Sequence, residues 1–131
     1  MLLDTSGLFS YYHRNESQHA DAVTFFKAAS TRLTHNYVLA EFVPLCQTRG
    51  LNRVEALTFV ADLLDDPLVE VVWVDEAMHR SALVLLRRQI DKTYSLCDAV
   101  SFLLMEQYGL TEALTTDHHF EQAGFVRLLN P

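Results

Sequence analysis

The chain has 131 residues, 50% of them hydrophobic and 21% charged, which is enough for one continuous core and too few for two. Its formal net charge of −7 excludes a protein that holds nucleic acid through a broad basic surface, because such binding is largely phosphate neutralisation. No apolar run approaches the roughly 18 residues of a membrane span and no signal-peptide pattern is visible. Cys46 and Cys97 both fall in apolar helical stretches, where a thiol is usually a small core residue. Free thiols without a secretory signal suit a reducing, cytoplasmic setting. The acidic balance is compatible with an ordinary soluble protein, a domain with a basic partner, or acids partly neutralised by metal ions.

Met1-Leu2-Leu3 is an apolar run too short for anything but a strand, and it ends in Asp4. Thr5 and Ser6 follow as candidate caps of the next helix, and Gly7 is expected to relieve the turn into it. That helix runs to about His13 and a second from Gln18 to Ala29, with a short strand at Thr31–His35. Asn36 reads as the cap of a helix to Arg49. Apolar residues crowd this helix all round, so it is expected to be buried, with Glu41 embedded in it and Pro44 kinking or interrupting it. Asn52 opens a helix to about Leu64, stopped by Asp65-Asp66-Pro67. Leu68–Val74 is β-branched and nearly unbroken, the pattern of a central parallel strand.

Asp75 caps a helix to about Ile90, and Asp91–Tyr94 is a loop. Ser95 caps a further apolar helix from Leu96 to Tyr108, ended by Gly109. Glu112–Thr116 reads as a strand followed directly by Asp117, His118–Gly124 as a helical turn, and Phe125–Leu129 as a final strand. Strands alternating with helices predict one α/β domain, residues 1–131, with a mainly parallel sheet.

Ligands of open α/β sheets sit beyond the carboxyl ends of the strands, where Asp4 and Asp117 stand. Asp98 lies in the first turn of an apolar helix and Glu41 in the middle of another. A buried carboxylate persists when it is paired, hydrogen-bonded or coordinating. Four acids in one crevice repel unless a divalent cation sits among them, and a carboxylate set without thiolates suits Mg²⁺ or Mn²⁺. Each acid also has an ordinary reading: Asp98 as a dipole-matching acid, Asp117 as the cap of the next turn, Glu41 turned outward. His118 and His119 diverge on a helix, so at most one faces the crevice. His19 and His35 read as cap or turn residues, and Arg87, Arg88 and Lys92 either as a solvated helix end or as phosphate contacts. Asp4 as a covalent phosphohydrolase nucleophile would want a second acid two residues on, where Ser6 stands.

Leu3-Asp4-Thr5-Ser6, Leu39-Ala40-Glu41, Ser95-Leu96-Cys97-Asp98-Ala99 and Leu114-Thr115-Thr116-Asp117-His118-His119-Phe120, in that order across the whole chain, resemble the PIN domain, and the small stand-alone form is most similar to VapC-type toxins. The resemblance implies a three-layer α/β/α fold and a metal-dependent endoribonuclease. In it Asp4, Glu41, Asp98 and Asp117 would hold Mg²⁺ or Mn²⁺, with Ser6 and Thr115 supporting the acids. It further implies an RNA substrate, a cognate antitoxin and a homodimer. The competing expectation is a PIN-like domain that binds RNA or protein without cutting.

Overall fold

Leu2 and Leu3 point to opposite faces of a sheet, and each is fully buried, so this two-residue strand already requires cover on both sides. The cover is supplied by seven helices around five parallel strands, in a computed structural model that describes residues 1–131. The first half comprises β1 (Leu2–Leu3), α1 (Thr5–Tyr12), α2 (His19–Ala28), β2 (Leu33–His35), α3 (Asn36–Thr48) and α4 (Arg53–Asp65). The second comprises β3 (Glu70–Val72), α5 (Glu76–Arg88), α6 (Leu96–Tyr108), β4 (Glu112–Leu114), α7 (His119–Gln122) and β5 (Val126–Arg127). The strand order is β3-β2-β1-β4-β5.

Two cores result. Leu3 and Leu114 pack with Leu8, Phe26, Phe42 and Leu63 from α1–α4. Leu2 and Ala113 pack with Ala82, Val100, Phe102 and Phe120 from α5–α7. The molecule is therefore a three-layer α/β/α sandwich. A one-residue slip of β1 would exchange Leu2 and Leu3 between these cores; burying a leucine stabilises by about 1.5–3 kcal/mol, so the register Leu2↔Ala113, Leu3↔Leu114 is firmly set.

Three of the seven helices, α4, α5 and α6, start where short polar side chains take up free amides. Asn52 accepts from Glu55 N, Asp75 from Met78 N, and Ser95 from Asp98 N. Gly109, at φ 66°, closes α6.

Several local expectations are corrected. Leu68–Val74 is not the central strand: only Glu70–Val72 is extended, and it lies at the sheet edge beside β2. Val71 meets one core and Val72 the other. Because helices cover both faces out to the edge, an unbroken apolar run does not distinguish edge from centre, and the central place belongs to β1. Helix α3 is not buried all round, since Val38, Leu39, Phe42 and Cys46 face inward while Ala40, Glu41 and Pro44 are exposed. It continues through Pro44, whose missing amide falls on the solvent side. Asn36 does not cap α3; it is the first helical residue, and its Oδ1 accepts from Val74 N at 2.7 Å, tying the exit of β3 to α3. His35, read as a cap or turn residue, ends β2 at the N-cap position of α3 but makes no side-chain cap; it is fully buried, contacts Ser101 Oγ through Nε2 at 2.8 Å, and is pushed by burial down to a pKa of about 4. Thr5 and Ser6 do not cap α1, because both hydroxyls turn elsewhere. Gly7 lies inside α1, not in a turn, and is required by close approach: a Cβ there would come 1.8 Å from the Leu114 carbonyl oxygen.

Candidate active site

The direction in which successive strands are added to the sheet reverses between β1 and β4, since β2 and β3 lie on one side of β1 and β4 and β5 on the other. Such a switch point opens a crevice at the carboxyl ends of the two strands. Asp4 leaves β1 and Thr115 leaves β4 side by side, held by Asp4 N donating to Leu114 O at 3.2 Å. The crevice they start, of about 290 Å³, is lined by Asp4, Thr5, Ser6, Glu41, Leu45, Thr93, Ser95, Asp98, Asp117 and His119. The four acids singled out in the sequence therefore share one cavity with Ser6. Thr115 lies beneath it, fully buried.

Asp4 is 6% exposed. Its Oδ2 accepts from Thr115 Oγ1 at 2.7 Å and makes a longer contact with Ser6 Oγ at 3.4 Å. The two hydroxyls touch at 3.1 Å, and each accepts a backbone amide at 3.0 Å, Ser6 from Thr116 and Thr115 from Asp117. The short contact marks the Thr115 hydroxyl as a donor to the carboxylate, and the single Ser6 hydrogen is shared between Asp4 and Thr115. Burial nevertheless pushes the Asp4 carboxyl up to about 7, against the lowering by Thr115 and the Thr5 amide, and the charges of Asp98 and Asp117 add to the rise. This acid cannot carry its charge comfortably without a cation.

Asp98 combines two roles. Its carboxylate accepts from Ser95 N at 3.0 Å in a reciprocal capping box, so its reading as a helix-start acid describes its position correctly. The same side chain, 6% exposed, faces the crevice. Asp117 likewise accepts from His119 N at 2.9 Å through Oδ1, starting α7. Glu41 is the exception among the acids. It is exposed rather than embedded, correcting the expectation from the sequence, and reaches the crevice from the rim of α3. Thr5 Oγ1 approaches it at 3.4 Å, and the buried Cys97 thiol lies on the same side of the crevice. Burial first, then the neighbouring Glu41, hold the Cys97 thiol well above the usual thiol range, so Cys97 is not poised as a nucleophile.

His119 faces the acids, with Nδ1 3.0 Å from Asp98 Oδ2 and 3.4 Å from Asp117 Oδ2. His118 points out, its side chain 65% exposed, although one ring nitrogen lies within 4.8 Å of ligand atoms on Asp117 and His119. Arg87, Arg88 and Lys92 do not line the crevice; Lys92 pairs with Asp91 at 3.6 Å. His19 contacts the Ser10 carbonyl and is likewise outside it. Thr5, Thr93 and Cys97 belong to the site without having been singled out as its members. Thr93 joins it through its 3.0 Å contact with His119 Nε2, a pairing across 26 positions with no local sequence signal. Thr5 and Cys97 had one available signal: each flanks a singled-out acid.

The donor set fits a hard divalent cation. Four carboxylates with adjacent hydroxyls offer oxygen almost exclusively, and one of them is buried without compensating positive charge.

A family model described as "PIN domain" matches residues 1–126. The 23S rRNA-specific endonuclease VapC20 of Mycobacterium tuberculosis, from strains CDC 1551 and H37Rv, is 28% identical over 129 residues, covering 98% of this chain and 97% of the relative. The crystal structure of M. tuberculosis VapC20, described as a Sarcin-Ricin loop cleaving toxin, superposes with a TM-score of 0.87 at 28% identity, over 99% of this chain and 98% of that one.

Proposed function

We propose, from the premise that this chain belongs to the PIN domain family, that it is a metal-dependent endoribonuclease hydrolysing RNA phosphodiester bonds and serves as the toxin of a toxin–antitoxin pair. The observation that carries the reading is the gathering of Asp4, Glu41, Asp98 and Asp117 into one crevice at the switch point of the sheet. The full-length similarity to an rRNA endonuclease supports it.

Asp4, Asp98, Asp117 and Glu41 would hold Mg²⁺ or Mn²⁺. When bound, such an ion lowers the pKa of a coordinated water and stabilises charge on phosphoryl oxygens. The protein's own part is to aim and to discharge. Thr115 and Ser6 fix Oδ2 of Asp4, so its other oxygen is left for the crevice. The N-termini of α6 and α7 bring their partial positive charge toward the same acids. With a net charge of −7 and no lysine or arginine lining the crevice, the site repels phosphate until its acids are neutralised, so RNA binding follows ion binding. An acidic crevice equally suits an antitoxin with a basic segment. The same reading includes a homodimer acting in the cytoplasm; no helix is long and apolar enough to cross a membrane.

The test is cleavage of an RNA panel that includes a fragment of large-subunit rRNA carrying the sarcin–ricin loop, the relative's target. The expected result is cutting with Mg²⁺ or Mn²⁺ that stops with chelator. Binding of RNA with no cleavage under any divalent ion would replace this reading with that of a non-cutting module.

A further inference from the structure

Both hydrogen bonds that reach Asp98 from outside its own amide fall on one oxygen. Ser95 N and His119 Nδ1 each lie 3.0 Å from Oδ2, and no protein donor reaches Oδ1. A carboxylate oxygen only accepts, so Nδ1 of the neutral ring carries the hydrogen. Nε2 is then an acceptor, and Thr93 Oγ1 stands 3.0 Å from it. The ring also packs edge-on against Tyr94, with centroids 5.4 Å apart, and its side chain is 15% exposed. Its tautomer is therefore set by the Asp98 carboxylate, and its plane by the Thr93-Tyr94 loop ahead of α6. The second carboxylate, Asp117 Oδ2, lies 3.4 Å from the same Nδ1, and the His119 amide holds Asp117 Oδ1. One residue thus touches two acids from different elements.

We infer that His119 is a positioning residue, whose Nδ1–H, directed by the Asp98 carboxylate while Thr93 holds the ring in place, turns Oδ1 of Asp98 toward the crevice and holds Asp98 and Asp117 together as a preformed cation cradle. The inference rests on the nuclease reading above and deepens it. A hydrogen-bonded partner that orients a ligating group typically changes metal affinity by about 10–100-fold when removed. His119→Leu removes the donor. His119→Asn keeps an N–H near the place of Nδ1. Thr93→Val leaves the ring and removes the partner that holds its Nε2 side in place.

The experiment measures Mn²⁺ binding by calorimetry, with thermal unfolding of each variant recorded alongside. His119→Leu is expected to weaken Mn²⁺ by about 10-fold or more, His119→Asn to recover most of that loss, and Thr93→Val to lie between. In the metal-free wild type, nitrogen NMR of His119 is expected to show hydrogen on Nδ1. Wild-type affinity in His119→Leu, no recovery in His119→Asn, or hydrogen on Nε2 would each overturn the inference. So would imidazole nitrogen coupling to bound Mn²⁺ in electron spin echo, since the ring would then be a ligand. If His119→Leu does not fold, the NMR tautomer and Thr93→Val decide. Wild type that neither binds Mn²⁺ nor cleaves RNA marks failure of the nuclease reading instead.

Discussion

At the amino ends of the strands, Ser30–Leu33, Pro67–Glu70, Tyr108 and Leu110 surround a hollow of about 550 Å³; at the carboxyl ends, the acids share about 290 Å³. The larger space has the poorer chemistry, with one carboxylate, Glu70, and the guanidinium of Arg32, which donates to the carbonyls of Phe26 and Lys27. The smaller one gathers four acids, four hydroxyl residues and an imidazole. Chain polarity explains the difference. In a parallel sheet with crossover helices, helix N-termini lie at the carboxyl edge and C-termini at the opposite edge. Here Thr5, Ser95 and His119 open or adjoin helix starts beside the acids, whereas Ala28, Asp65 and Tyr108 are helix ends beside the hollow. Carboxylates are favoured at the first kind of end and disfavoured at the second. Volume follows loop length; chemistry follows strand and helix direction.

The sharpest way to test that contrast is to neutralise one acid. Asp98→Asn and Asp4→Asn are each expected to lower metal-dependent RNA cleavage by at least ~10²-fold, read as initial rates on a defined RNA. Rates near wild type would remove that residue from the site. Gly7→Ala attacks the frame instead of the charge. A methyl cannot fit 1.8 Å from the Leu114 carbonyl, so α1 must lift from β4 at a cost of about 3 kcal/mol, checked by urea unfolding. Thr115→Ala leaves all four acids but removes the 2.7 Å donor to Asp4. About a 10-fold fall in activity is expected, with stability only slightly changed.

Smaller still is a dependence on pH. Asp4 has a folded pKa of about 7, above its ordinary 3.8. Its contribution to stability is fully present below about pH 4 and is lost as pH rises through 7. His35 has a folded pKa of about 4, below its ordinary 6.5, so its contribution is present above 6.5 and lost on acidification. The two oppose each other between pH 4 and 6.5, so the informative quantity is a difference between proteins. In metal-free samples the melting temperature of Asp4→Asn should rise relative to wild type from pH 4 to 7 and then level off; a difference that stays flat would refute the assignment. The least effect is expected at the other edge, where Glu70→Gln and Tyr108→Phe should leave cleavage within about twofold, as surface changes do. A large loss there would abolish the contrast.

The residues that were legible in the sequence were those whose local setting conflicts with their chemistry. Asp4 after two leucines, Asp98 in an apolar helix and Asp117 after an apolar strand each stand out without any knowledge of pairing. Glu41 stood out for the wrong reason. The outward side of α3 carries Ala40 and Pro44, so apolar neighbours did not imply burial. Edge and centre were confused for Leu68–Val74 because both faces of the sheet are covered. What stayed invisible was contact between distant positions, as when Thr93 meets His119 or Ser6 meets Thr115. No periodicity reports such a pair.

Because β1 sits at the centre of the sheet with β4 as a neighbour, two strands whose paired residues are 111 positions apart must meet before Asp4 has Thr115 beside it. During synthesis Asp4 emerges 111 residues ahead of Thr115 and waits unpaired through that stretch. Closing so long a loop is among the slower events in building a domain of this kind. A ribosome making this protein therefore carries, for nearly all of that time, a nascent chain that cannot yet assemble the crevice, and competence arrives only when β4 docks against Leu2 and Leu3.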